Sequence, residues 1–358
     1  MGTEVHMTDY REHKVSITLS HMAHRIIESD MRIFNQGKFG HFINTVIMEY
    51  KDESIASIKI AARNERERIT RILHPYGGNL SASEKELVET LVRSYVQSLR
   101  ERIKSYKGES QPTKKVRINN DNAIALNLEG ESDYYDKEDY LNAGSYVKSL
   151  LEDYARQPFT KREEIIFKST ITTINDCIND HRIIRVSYTG LDGQTKTFKH
   201  KPYKIVVDNL NGYHYYLGLS YGNQDEGKLY PMRISRICDS RPLSIRSHIT
   251  SAEEHMIKKF TEGKGIAYIS GDIEAIEVEL TPKGVLLYNS ILHLRPSVAE
   301  KPMPGHDGNL IYKFKCTPEQ IRNYFFQFGK ESHILKPEYL REEFFTKYNE
   351  AAEEYRSK

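Results

Sequence analysis

The chain has 358 residues, of which 38% are hydrophobic and 28% charged, with a formal net charge of +2. That length exceeds one ordinary core, and the composition excludes a disordered or fibrous chain. No apolar run is long enough to span a bilayer, and Met1 to Glu12 is too polar for a secretory or transit segment. Cys177, Cys238 and Cys316 are odd in number, far apart and outside any CxxC or Cys/His cluster, which argues against a disulfide framework or a zinc site. Reduced thiols in a cytoplasmic protein are expected. The charge is uneven: eight Lys/Arg face two acids between Arg93 and Arg117, six acids face one Lys between Glu129 and Asp139, and six basic residues face only Asp192 between Arg182 and Lys204. A solvated face is the plain reading of any one such run.

In chain order, Lys14 to Leu19 alternates polar and apolar with period two, a half-buried strand. Ser20 is placed to cap a helix carrying Met22, Ile26, Ile27 and Ile33. Asn35-Gln36-Gly37 breaks it, and a second helix follows through Phe42, Ile43, Val46, Ile47 and Tyr50. Two helices come next, one with a stripe through Ile55, Ile58, Ala62, Ile69 and Leu73, the other opened by the capping box Ser81-Ala82-Ser83-Glu84 and burying Val88, Leu91, Val92, Tyr95, Leu99 and Ile103. Their arginine faces pack as solvated surface or extend a basic one. Residues 106–115 read as an exposed linker.

The first pattern then returns. Lys115 to Asn119 alternates again, and Ala143 to Tyr154 parallels Phe39 to Tyr50 at a constant offset (144 − 40 = 154 − 50 = 104). Strand, helix, turn, helix resembles the ribbon-helix-helix fold of small transcriptional regulators. A lone strand leaves its backbone groups unpaired, so two copies in one chain are expected to pair strand 14–19 with strand 115–119. Val15, Ile17, Val116 and Ile118 then turn inward, leaving Lys14, Ser16, Thr18, Lys115, Arg117 and Asn119 outward. The resemblance implies a face that enters a major groove, with phosphates held near Gly40 and Gly144; alternatively the ribbon only holds the domain together.

Thr160-Lys161-Arg162-Glu163 is expected to cap a helix through Phe167, Ile171, Ile174 and Ile178. The period then switches to two: strands run through Ile184 to Tyr188, Phe198 to Val207, Tyr213 to Ser220, Leu229 to Ile237 and Leu243 to Arg246, with a hairpin at Asp192-Gly193. Short strands at this spacing suggest a small barrel. Arg182 to Tyr188, Lys201-Pro202, Tyr215-Tyr216-Leu217-Gly218 and Pro231 to Ile237 together resemble the WYL domain, over residues 160–246. Tyr215 stands at the tryptophan position of the motif. The resemblance implies an Sm-like barrel whose groove, carried over onto these positions, involves Tyr188, Tyr215, Arg233 and Arg236, with Arg185 beside them. Tyr216 and Leu217 are expected inside, Tyr215 and Arg233 at the surface; Arg236 is as well suited to a structural salt bridge as to a ligand.

From Ile273 the order is strand, helix after Pro282, strand near Leu294, strand through Tyr312, helix after Pro318 and strand at Ile334, a ferredoxin-like βαββαβ unit. With its last helix it resembles the extension that follows WYL domains and dimerises, so a homodimer through this domain is expected. No GxGxxG, P-loop, HExxH or GxSxG is present, and Lys264-Gly265 lacks the earlier glycine of a phosphate loop. His21 and His24 lack a third ligand, and Asp133, Asp136, Glu138 and Asp139 read as a solvated loop. No enzyme activity, cofactor or metal is expected.

The expected class is α+β multidomain: 1–158 tandem ribbon-helix-helix with inserted helices, 159–248 WYL barrel, 249–358 ferredoxin-like dimerisation domain. This order resembles the WYL accessory proteins of type VI-D CRISPR-Cas systems. The resemblance implies a helper that binds single-stranded RNA and stimulates an RNA-guided RNase effector. The rivals are a ligand-responsive repressor that binds duplex DNA and a purely protein-docking module.

Overall fold

The computed structural model describes residues 13–104, 111–128, 130–190, 193–208, 212–222, 226–261, 274–292 and 295–356. The fold is mixed α and β, divided into two compact units, 1–169 and 170–358.

The first unit opens with β1 (Lys14–Ile17), α1 (His21–Ile33), α2 (Phe39–Tyr50), α3 (Ile58–Leu73) and α4 (Ala82–Lys104). It continues with β2 (Lys114–Arg117), α5 (Asn120–Ala125), α6 (Ala143–Arg156) and α7 (Phe159–Ile166). β1 and β2 pair antiparallel, Lys14 opposite Arg117 and Ser16 opposite Lys115. Val15, Ile17, Val116 and Ile118 are buried beneath them. Ser20 caps α1 through its hydroxyl at 3.2 Å from the Ala23 amide, and its own amide and hydroxyl reach the buried Glu152 at 2.6 and 2.7 Å. α1 buries Ala23, Ile27 and Phe34, whereas Met22 and Ile33, expected inside, are exposed; Leu91 of α4 is likewise outside. The repeat offset holds at the backbone, since α2 starts at Phe39 and α6 at Ala143. The copies differ in what precedes them: 13-residue α1 is answered by 6-residue α5. Their glycines differ too. A Cβ on Gly144 would meet the Ser16 carbonyl oxygen at 2.6 Å, while one on Gly40 would meet nothing within 4 Å.

Three buried acids tie this unit together. Asp30 receives the Arg162 guanidinium at 2.7 and 3.1 Å and the Tyr154 hydroxyl at 2.8 Å. Asp153 accepts from the Tyr50 and Ser54 hydroxyls at 2.9 and 2.8 Å, and Glu152 holds Ser20. The helix expected from Thr160 starts instead at Phe159 after Pro158, with no side-chain cap, and breaks at Phe167 before α8 (Lys168–Asn179). Proline fixes its own φ near the helical value and needs no amide donor at such a start.

The second unit carries β3 (Arg182–Thr189), β4 (Thr195–Val207), β5 (His214–Ser220), β6 (Leu229–Arg233) and β7 (Ile237–Arg246), an antiparallel sheet in the order β6-β5-β4-β3-β7. Of the expected hairpin, Asp192 lies outside the described residues; Gly193 adopts φ +75°. A flat five-stranded sheet would hold its edges about 19 Å apart. Arg233 and Ile237 end the two edge strands, and the 3-10 turn Ile234–Arg236 between them spans at most about 14 Å. The sheet is therefore strongly curled, helped by a bulge in β4 between Pro202 and Lys204. Its concave side holds Val186, Phe198, His200, Tyr216 and Tyr230, where the His200 ring stacks on Tyr230 at 5.5 Å. Gly218 leaves room there, because a Cβ would come 3.1 Å from His200 Cβ and closer still to the Tyr216 hydroxyl. Leu217 takes the other face, with Leu219 and Leu229, against Ile257 of α9 (Ser251–Thr261), which corrects its expected place beside Tyr216.

The last sheet has β8 (Glu274–Leu280), β9 (Met303–Pro304), β10 (Leu310–Cys316) and β11 (Ser332–Lys336), in the antiparallel order β11-β8-β10-β9. α10 (Pro282–Ser290) and α11 (Pro318–Phe325) connect them, and α12 (Glu338–Arg356) follows. Leu294 lies outside the described residues; on the side away from β8, β10 pairs with the two-residue β9, assisted by a bridge from Val298 to Phe314. Tyr288, Phe314, Tyr324, Phe325 and Phe328 fill the core. Lys264-Gly265 and residues 106–110 of the expected linker also fall outside the described residues.

Candidate nucleic-acid interface

The ribbon alternates as a half-buried pair must. Lys14, Ser16, Lys115 and Arg117 are exposed on its outer side. Thr18 lies past the end of β1, half-buried, its hydroxyl 2.6 Å from that of Thr113. Asn119 is exposed but its side chain caps α5 by accepting from the Asn122 amide at 2.9 Å. Its own amide is held by the Asn44 side chain, which also donates to the Arg117 carbonyl at 3.0 Å. Asn119 is thus also a structural joint between β2 and α2. Lys114, also exposed, lies over the Phe39 ring at 4.5 Å and 2.7 Å from His24 Nε2.

The curled sheet sorts the other candidates by register. Tyr215 stands directly opposite Arg233, and Tyr188 opposite Ile237, so the 3-10 turn bearing Arg236 joins their two neighbourhoods. Tyr216 is fully buried and Tyr215 half-buried, on opposite faces of β5 as alternation requires. The Arg233 guanidinium lies flat on the Tyr213 ring at 3.3 Å, and its Nε donates to Ser235 Oγ at 2.7 Å. This clamp went unread in the sequence; the only signal was an aromatic two residues before Tyr215, with its partner across the strand. Tyr188 shares the concave face with Val186, at the strand end where burial relaxes. Arg185, three residues earlier, faces the opposite way, so it does not stand beside Tyr188.

Several arginines of α3 and α4 are paired: Arg66 meets Glu89 at 2.8 Å, Arg68 meets Glu65 at 2.6 Å and Arg100 meets Asp139 at 2.5 Å. On the curled sheet, Arg185, Lys199, Arg233 and Arg236 form no ion pair among the described residues, while Lys201 is held by Glu253 at 2.7 Å. A planar cation fixed by stacking and one hydrogen bond, with no carboxylate opposed to it, is arranged to receive an anion without first breaking a salt bridge. Tyr215 beside it offers a partly exposed aromatic surface. Among the described residues no group of three or more His, Cys, Asp or Glu side chains is placed to hold a metal ion. No helix among them is long and apolar enough to cross a membrane.

No family model matches the chain, and no curated protein does. Among solved structures, the proteasome accessory factor B/C of Arthrobacter aurescens matches at 18% identity over 64% of this chain and 35% of that one. Its TM-score of 0.28 carries no weight for the fold. The crystal structure of a CRISPR Cas-related protein, 25% identical, covers 98% of this chain and 96% of its own length at a TM-score of 0.72, so the chain shares its fold end to end.

Proposed function

We propose that this chain is a non-catalytic accessory protein of a CRISPR system that takes single-stranded RNA on its curled five-stranded sheet and stimulates an RNA-guided RNase. The observation that carries the reading is Arg233, clamped on Tyr213, opposite Tyr215 and without a counter-ion among the described residues. Aromatic faces stack on unpaired bases whatever their sequence, and a neighbouring guanidinium adds phosphate pairing, a combination suited to single strands. The resemblance of Arg182 to Ile237 to the WYL domain, and the strand order that returns β7 to β3, support an Sm-like barrel. The strand–helix–strand–strand–helix–strand order after it supports a ferredoxin-like unit serving as a homodimer contact. The likeness to a CRISPR Cas-related protein supports the system.

Fluorescence anisotropy with matched single-stranded RNA, single-stranded DNA and duplex DNA tests the reading. Tyr215→Ala is expected to weaken RNA binding about 5- to 150-fold, the cost of one lost base stack at ~1–3 kcal/mol. Addition of the chain to an RNA-guided RNase should then raise RNA cleavage in wild type and less so in the variant. One observation favours a second reading: the ribbon's outer side presents Lys115 beside Ser16 on a paired two-stranded element of the kind that enters a major groove. Duplex preference abolished by Lys115→Ala/Arg117→Ala, with Tyr215→Ala silent, would replace the accessory reading by that of a DNA-binding regulator.

A further inference from the structure

The outer face of the curled sheet carries a row of cations. Arg185 on β3 stands directly opposite Lys199 on β4 and, on its other side, directly opposite Arg241 on β7. Three cationic side chains thus lie on one rung across three adjacent strands, spanning about 10 Å. Lys199 and Arg241 are exposed and Arg185 half-buried. Like charges directly opposite each other on a sheet are destabilising. The adjoining rung shows the ordinary solution for an exposed face: Ser187 and Thr197 pair their hydroxyls at 3.0 Å. Only Arg241 has a carboxylate, Asp239 at 3.0 Å on the next rung; Arg185 and Lys199 form no ion pair among the described residues. The face is the one opposite Tyr188, so the row is separate from the concave side of the sheet.

We propose that the Lys199–Arg185–Arg241 rung is a phosphate track, a surface that holds successive phosphodiesters of a single-stranded nucleic acid. Repulsion across the rung is relieved when anions sit between the side chains, and a polyphosphate backbone supplies them at regular intervals. Lys and Arg for charge, flanked by the Ser187 and Thr197 hydroxyls as further hydrogen-bonding groups, is the donor set that contacts phosphate rather than bases. The track rests on the nucleic-acid reading above but on different residues, and it contributes affinity without sequence preference.

The test compares the full-length wild type with Arg185→Gln/Lys199→Gln/Arg241→Gln. Three probes are used: a uridine-only RNA strand, inorganic polyphosphate of similar charge, and poly-glutamate. Each lost phosphate contact to a single strand should lower the slope of log affinity against log salt by about 0.7, so the triple variant should lose about 2 from the RNA slope. It should also lose polyphosphate binding. Tyr215→Ala should instead weaken RNA binding with the slope unchanged. Melting of the triple variant at a temperature no lower than wild type shows that the fold is intact, as relief of repulsion predicts. RNA bound with an unchanged slope overturns the track and leaves the accessory reading standing. Polyphosphate bound through the rung, with no RNA bound by wild type, leaves only an anion site there and overturns both the track and the accessory reading. Loss of poly-glutamate binding in the variant, with neither phosphate probe bound by wild type, makes the rung a docking surface for an acidic protein and overturns the proposal.

Discussion

His200 is a basic group sealed into the concave side of the sheet, among Phe198, Tyr216 and Tyr230. Among the described residues neither ring nitrogen has a hydrogen-bond partner, nor has the Tyr216 hydroxyl. Burial therefore pushes the imidazolium down to about 4 from its ordinary 6.5. The sign follows from proton counting. Between pH 6.5 and 4 the unfolded chain binds a proton at this position that the folded chain refuses, so stability rises with pH across that window and is lost as pH falls through it. A difference of about 2.5 pH units at ~1.4 kcal/mol each amounts to about 3 kcal/mol, a large share of the 5–15 kcal/mol that holds a typical domain. His200→Phe keeps the ring and removes the titration. In urea unfolding of the full chain at pH 7, 5.5 and 4.5, the variant is expected to gain on wild type by about 2–3 kcal/mol over that range. Nitrogen NMR of the imidazole should show a neutral ring at pH 5.5. Wild type and variant curves that stay parallel in pH, or an imidazole titrating near 6.5, would refute the reasoning.

The two copies of the repeat should respond oppositely to one substitution. Gly40→Ala, with open space around the new methyl and a helix to favour it, should stabilise by about 0.5–1 kcal/mol, whereas Gly144→Ala should cost about 1–3 kcal/mol by pressing on the Ser16 carbonyl; thermal melting of each variant checks both signs. Arg162→Met should cost about 3–5 kcal/mol by stranding the buried Asp30 charge, while Asp30→Leu/Arg162→Met should recover most of it, less about 1 kcal/mol for the unpaired Tyr154 hydroxyl, as read by urea unfolding. Of the three thiols, Cys238 is exposed, while burial pushes Cys316 up to about 12 and raises Cys177. A thiol-reactive dye should label one equivalent quickly in the native chain and the other two only on unfolding, and Cys238→Ser should abolish the fast phase.

How far the sequence carries depends on how local the signal is. The ribbon strands follow from alternation over Lys14 to Leu19 and Lys115 to Asn119, and the starts of α2 and α6 from a fixed offset. Residue parity alone also distinguishes Tyr216 from Tyr215. Parity equally implies that Leu217 and Arg185 face away from Tyr216 and Tyr188, which a motif read as one cluster obscures. The bulge at Pro202/Lys204 is different: it reverses the facing of everything after it on β4, and no local pattern announces it. The stacking of Arg233 on Tyr213 depends on long-range pairing in the same way. Thr160 looked like a cap by residue type, but Pro158 two positions earlier had already started the helix.

Because β1 and β2 belong to one chain, closing the ribbon is a unimolecular event. Its strands meet at an effective concentration set by the intervening chain, so dilution does not part them as it parts a ribbon shared between two molecules. Nor are the two edges bound to be copies of each other. Asn44 secures β2 to α2, whereas the position 104 residues later, Lys148, makes no such joint among the described residues. One edge is thereby free to change its chemistry while the other keeps its own, so whatever lies along this ribbon need have no two-fold symmetry.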